Sequence, residues 1–195
     1  MQRKRKKRRA SPLLRLGLLL MAVVIIVGGF WCYFHMVDRY ERSVYPLPYH
    51  EIVALMSERY ELPPEIVYGV MYTESGFNPQ AVSPVGAAGL MQITEDTFLW
   101  LQSKTGETIP WEEIFNEEVN IRYGCLVLQM LHEEVGSWET AFAAYNAGRT
   151  RVKRWLRDSS ISEDGVLINI PFRETADYVL RVTRAAENYK RLYFS

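Results

Sequence analysis

Cysteine, histidine and strand-like alternation are all scarce in this chain. Two cysteines, Cys32 and Cys125, are too few for a disulfide scaffold or a structural zinc site. Three scattered histidines, His35, His50 and His132, have no metal-ligand spacing. No metal and no cofactor is therefore expected. A convincing period-two strand is missing as well; Val166–Ile170 is the only candidate and it is short.

Charge is absent in telling places. Lys plus Arg and Asp plus Glu both total 23, yet residues 1–15 hold no acid and eight bases: Arg3, Lys4, Arg5, Lys6, Lys7, Arg8, Arg9 and Arg15. The remaining 180 residues carry 15 basic and 23 acidic groups, a net of −8. An acidic body argues against nucleic acid as a partner. With 48% apolar residues and 13% aromatics, disorder is excluded for most of the length.

Leu16–Phe34 is a run of 19 residues without any charge. As a helix it would span roughly 28 Å, the thickness of a bilayer core. The cluster Arg3–Arg9 precedes it, so the positive-inside rule places the N-terminus in the cytoplasm and the rest of the chain outside. Trp31, Tyr33 and Phe34 sit at the outer end, where interfacial aromatics belong. A cleavable signal peptide would have a shorter apolar region and a small-residue site. Here Gly29-Phe30-Trp31 is a poor cleavage site, and Cys32 follows bulky residues rather than a lipoprotein-type small pair. The expected organisation is a basic cytoplasmic tail over 1–15, a transmembrane anchor over 16–34, a tether over 35–49 and one domain over 50–195. Pro46 and Pro48 discourage helix in the tether. Cys32 in the span and Cys125 in the outer domain cannot pair.

Beyond residue 50 the apolar spacing is helical. Ile52, Leu55, Met56 and Tyr60 repeat at three and four before Pro63-Pro64; a second helix should run from Pro64 to about Thr73. Thr94 is placed to cap a short helix over Asp96–Lys104, and Asn116 and Gly136 bracket a long one. Ser137 opens another that stops at Asn146-Ala147-Gly148, Val152–Arg157 forms a further turn or two, and Pro171 leads into a last helix with Glu174, Tyr178, Val182, Ala185 and Tyr189 on one face. The expectation is all-α.

Glu74 ends the second helix, directly after a run that must pack in the core. A carboxyl among apolar and aromatic neighbours loses hydration and keeps its proton near neutral pH, as a general acid for glycoside cleavage must. Taken alone, this stretch favours an exposed Glu in a helix's last turn; the segments that follow change the balance. Ser83-Pro84-Val85-Gly86-Ala87-Ala88-Gly89-Leu90-Met91-Gln92 is rich in small residues that let backbone approach a ligand. Tyr145 and Asn146 stand at a helix end beside Gly148. Glu174 shares the face of the apolar stripe, where a carboxylate is costly unless paired; it either caps its own helix or holds a ligand or neighbour.

In this order, Glu74-Ser75, Gly89-Leu90-Met91-Gln92, Ala144-Tyr145-Asn146-Ala147-Gly148 and Glu174-Thr175 with Tyr178 resemble the catalytic domain of soluble lytic transglycosylases, glycoside hydrolase family 23, of lysozyme-like fold. The resemblance covers about residues 47–192. It implies Glu74 as catalytic acid and base, and Ser83, Gln92, Tyr145, Asn146 and Glu174 as substrate-binding residues. Leu90 and Met91 are expected to pack. Thr94, Phe77 and Tyr178 are expected at most to border the cleft and are given no role in the site. The implied substrate is the peptidoglycan glycan strand, at the β-1,4 bond between N-acetylmuramic acid and N-acetylglucosamine, with a 1,6-anhydro product.

A related goose-type lysozyme would hydrolyse this bond and needs a held water, commonly on a second carboxylate. Residues 75–88 contain no Asp or Glu, which favours transglycosylation. A catalytically silent wall-binding scaffold would be expected to have lost Glu74 or Tyr145, and both are present. Trp100, Trp111, Trp138 and Trp155 sit at helical spacings expected of core residues. Nothing identifies a protein partner.

Overall fold

A computed structural model describes residues 12–195. The basic cluster Arg3–Arg9 lies outside the described residues. The chain divides into two units, Met1–Pro46 and Leu47–Ser195.

The first unit contains α1, Pro12–Val44. Its apolar side chains, among them Leu19, Ile25, Val27 and Trp31, are exposed. A window within Leu19–Val44 has mean hydropathy 2.1, long and apolar enough to cross a membrane. The helix runs ten residues past Phe34, so the non-helical part of the expected tether shrinks to the segment around Pro46 and Pro48. Proline removes an N–H and restricts the residue before it, which sets the end near Val44 but not earlier.

The second unit is helical: α2 (His50–Arg59), α3 (Pro64–Ser75), α4 (Glu95–Thr105), α5 (Glu117–Val135), α6 (Trp138–Ala147), α7 (Arg149–Trp155) and α8 (Arg173–Tyr193). A 3-10 turn over Trp111–Phe115, not anticipated from spacing, precedes α5. The expected caps form. Thr94 Oγ1 accepts from Thr97 N, Asn116 Oδ1 from the amides of Glu118 and Val119, and Ser137 Oγ from Thr140 N. Val166 does form a strand, β2 (Val166–Leu167), in a small hairpin with β1 (Ser162–Glu163). Its turn is Asp164-Gly165, both at positive φ, the chemistry a two-residue hairpin asks for.

Some faces differ from the spacing argument. In α2 the buried residues are Val53, Met56 and Ser57, while Leu55 is exposed. Among the tryptophans expected in the core, Trp155 is buried and Trp100, Trp111 and Trp138 are only half-buried. A wide indole can cover a core from its edge without entering it.

The crossing of α3 on α8 positions the site. A Cβ on Gly69 would stand 3.0 Å from Ala186 N and 3.1 Å from Ala186 Cβ, so the missing side chain lets the two backbones approach. Val67, Val70 and Met71 on α3 and Val182 and Tyr189 on α8 are fully buried around this crossing. With Gly69 opposite Val182 and Ala186, Glu74 further along α3 reaches Tyr178, one turn before Val182 on α8.

Candidate active site

Glu74 lies in the last turn of α3, which Gly76 closes at φ +56. Its side chain is half-buried, and the Tyr178 hydroxyl donates to Oε1 at 2.6 Å. Desolvation pushes the Glu74 pKa up to about 7; the Tyr178 hydrogen bond and the field of Arg181 oppose it. Tyr145 stands in the same electrostatic neighbourhood, its own pKa held well above the usual phenol range by burial and then by Glu74 and Cys125. Its hydroxyl donates not to Glu74 but to Met91 O, at 2.7 Å. Tyr178 is likewise pushed well up, first by burial and then by Glu74 and Tyr145.

The loop between α3 and α4 is built by backbone pairing. Ala88 forms bridges with Val82 and Ile93, and Gly89 N donates to Ala81 O. Ser75 Oγ reaches across to Leu90 O at 2.7 Å, tying this loop to the turn that carries Glu74. Leu90 and Met91 are fully buried, as expected of packing residues.

The other expected site residues are placed as follows. Gln92, at φ +49, spends its Nε2 on Ala81 O and Gly89 O. This leaves its carbonyl oxygen to accept from a ligand. Ser83 Oγ accepts from Ala87 N at 3.0 Å and retains its own O–H. Asn146 is exposed at the end of α6, and its Oδ1 accepts from Thr175 Oγ1 at 2.9 Å, joining α6 to the first turn of α8. Glu174 is exposed beside Thr175. It does not follow Tyr178 and Val182 inward: in the first turn of α8 it is Thr175 that is buried, and Glu174 beside it faces outward, so the penalty for an inward carboxylate does not arise. A small cavity of about 70 Å³ lined by Gln92, Thr94, Thr97, Val127 and Tyr145 adjoins the loop. A cavity of about 750 Å³ lined by Val53, Leu62, Pro63, Tyr68 and Phe194 contains none of these residues. Chemistry rather than volume marks the site.

Three residues were underrated by motif reading. Tyr178 touches Glu74 directly instead of bordering the cleft; its place on the inward stripe of α8 was the available signal. Ser75 acts as the tie to Leu90. Asn120, fully buried in α5, accepts from Met91 N at 2.7 Å and donates to Ala88 O and Ile114 O. An amide three residues before Tyr123 on a buried helix face was legible as an oddity, but its partners were not.

Residues 51–168 match the Transglycosylase SLT domain. The chain belongs to this family. It is 34% identical over 174 residues to the soluble lytic murein transglycosylase of Escherichia coli K12, covering 86% of this chain and 26% of that protein. A membrane-bound lytic murein transglycosylase C from Glaesserella parasuis is 26% identical over 168 residues, covering 74% of this chain and 46% of the relative. Among solved structures, the 70 kDa soluble lytic transglycosylase of Escherichia coli matches with TM-score 0.70 and 30% identity, over 77% of this chain and 25% of that one. An inactive variant of a Pseudomonas aeruginosa lytic transglycosylase gives 0.68 and 31%, over 75% and 24%. The chain spans about a quarter of the length of the soluble relatives it matches. The fold of the family is the lysozyme-like helical one anticipated from the motifs.

Proposed function

We propose that this chain is a membrane-anchored peptidoglycan lytic transglycosylase. It cleaves the β-1,4 bond between N-acetylmuramic acid and N-acetylglucosamine and leaves a 1,6-anhydromuramic acid end. The observation that carries this reading is the state of Glu74: a desolvated carboxyl with a pKa near 7 and one oxygen engaged by a phenol.

With Tyr178 donating to Oε1, the carboxyl proton belongs on Oε2, ready for the glycosidic oxygen. As that bond breaks, positive charge develops at the muramic acid C1, where the substrate's own acetamido oxygen stabilises it. Glu74 is now an anion, and the Tyr178 hydroxyl stabilises it in that form. It then accepts the proton of the same sugar's 6-hydroxyl as that oxygen attacks C1. Attack within one sugar gains effective molarity and needs no held water. In this reading the substrate-binding residues that the motifs supply suit an acetylated sugar: the Ser83 O–H and Asn146 N–H donate, and the Gln92 oxygen and Glu174 carboxylate accept. Tyr145 orients the centre. The absence of any Asp or Glu from residues 75–88 supports transglycosylation over hydrolysis.

Anchoring by α1, with the N-terminus cytoplasmic and the domain extracytoplasmic, is supported by its apolar length and by the bases that precede it. It would confine the enzyme to glycan close to the membrane.

The test is digestion of purified peptidoglycan by the full chain in detergent, with products weighed by mass spectrometry. Anhydro-ended fragments are expected. Fragments heavier by one water would replace the transglycosylase with a hydrolase, and no fragments at all would remove the activity.

A further inference from the structure

We propose that Arg151 is a positioning residue for this site: by clasping the end of α6 to Phe172 at the start of α8, it fixes the direction in which Asn146 presents its amide to the sugar. The inference rests on the functional reading above. It gives a role to a residue that acts through Asn146 rather than on the reacting atoms.

The end of a helix leaves carbonyls without intrahelical donors. Ala147 is the last residue of α6, and Gly148, at φ +93, turns the chain sharply into α7. The turn brings Arg151 back over the helix end just completed, and its Nη1 donates to Ala147 O at 2.9 Å. A cation there also meets the negative end of the α6 dipole. The guanidinium carbon of the same side chain lies over the Phe172 ring, 5.1 Å from its centroid. Trp155, one turn further along α7, meets that ring edge-on with centroids 5.2 Å apart. Phe172 is therefore held by two residues of α7 although it is exposed to solvent. Arg149 and Lys153, on the same helix, are instead paired with Glu134 of α5.

Both ends of the clasp border the joint that carries Asn146. Asn146 directly precedes Ala147, and Phe172 is the N-cap residue of α8, one turn before Thr175. Thr175 is buried, and its Oγ1 donates to Asn146 Oδ1 at 2.9 Å. That bond occupies the oxygen side of the carboxamide and leaves Nδ2 to donate to a ligand. Asn146 stands in the last turn of α6, where helices fray. Holding the final α6 carbonyl and the first turn of α8 against one guanidinium removes that freedom.

The deciding experiment measures binding of soluble, uncross-linked glycan strands to the full chain in detergent by isothermal titration, in a Glu74→Gln background so that no strand is cut. Arg151→Ala is expected to weaken binding about fivefold, the scale of one hydrogen bond. Phe172→Leu, which removes the ring that Arg151 covers, should do the same, and the two together no more than either alone. Asn146→Ala should weaken binding by a similar factor, and adding Arg151→Ala to it should change nothing further. Arg154→Ala, which removes an exposed base of the same helix, should bind as its parent does. With Glu74 present, Arg151→Ala should raise KM by the same factor and keep kcat within about twofold of the parent. Unchanged affinity in Arg151→Ala, or a Glu74→Gln chain that binds no strand, overturns the proposal. So does a full further loss in the Asn146→Ala background or an equal loss in Arg154→Ala, because the charge of α7 rather than the direction of Asn146 would then be responsible. The functional reading fails separately, on the products of peptidoglycan digestion by the unsubstituted chain.

Discussion

The Tyr178 hydroxyl and Glu74 Oε1 meet at 2.6 Å across 104 positions of sequence, on two helices that cross at a glycine. This contact gives the carboxyl two opposed influences. Burial favours the protonated acid and the phenol favours the anion, the two forms that the proposed reaction uses in turn.

The pH dependence of stability follows from the raised pKa of Glu74. Below its ordinary value of 4.5 the carboxyl is protonated whether the chain is folded or not. Between 4.5 and about 7 the unfolded chain releases a proton that the folded chain retains, so folding stability falls as pH rises and the loss is complete above 7. Glu74→Gln removes this penalty. Thermal unfolding should show the variant matching the parent near pH 4 and exceeding it near pH 8, by at most roughly 3 kcal/mol. A variant less stable than the parent at pH 8 would contradict a buried, reluctant carboxylate. The same variant should lose at least about a hundredfold in activity.

Activity should decline on the alkaline side with a midpoint near 7, as Glu74 loses the proton it must give. Tyr178→Phe removes a donor to the anion and so raises that pKa. The alkaline limb of kcat/KM should move up by about one unit, with kcat reduced because the base in the second half is less well stabilised. A limb that stays in place would mean the phenol does not engage the carboxyl in solution.

Ser75→Ala leaves the buried Leu90 carbonyl without its 2.7 Å partner. Unfolding by urea should reveal a loss of about 1–2 kcal/mol. Activity should fall more than stability suggests, because the tie joins the Glu74 turn to the loop bearing Met91 and Gln92. Wild-type stability and turnover together would show the tie to be idle.

Placement of the domain outside the membrane is open to a reporter test. Alkaline phosphatase fused after Ser195 should be active and a cytoplasmic-only fluorescent reporter dark, with the full chain recovered in membranes until detergent is added. The reverse pattern would invert the topology.

Much of the helical layout was legible because its causes are local. Thr94, Asn116 and Ser137 cap helices by hydrogen bonds a few residues away, and Gly76, Gly106 and Gly136 close them in the left-handed conformation. The motif residues Glu74, Gln92 and Tyr145 could be picked out by type and order. Asn120 could not be joined to Met91 in this way, since 29 positions separate them and no periodicity connects an amide to a loop. Nor could spacing alone separate Glu174, which is exposed, from Tyr178, which is buried one turn later.

Chemical type, the capped helix ends at Thr94, Asn116 and Ser137, and an apolar N-terminal helix were determined by the amino-acid order alone, because propensity, capping and hydropathy act within a few residues. Which phenol gives its hydrogen to Glu74 and which to Met91 was decided only by the tertiary structure. A phenol's donor goes wherever packing sets the nearest competent acceptor, and that acceptor was brought there by the crossing at Gly69 and the buried carboxamide of Asn120.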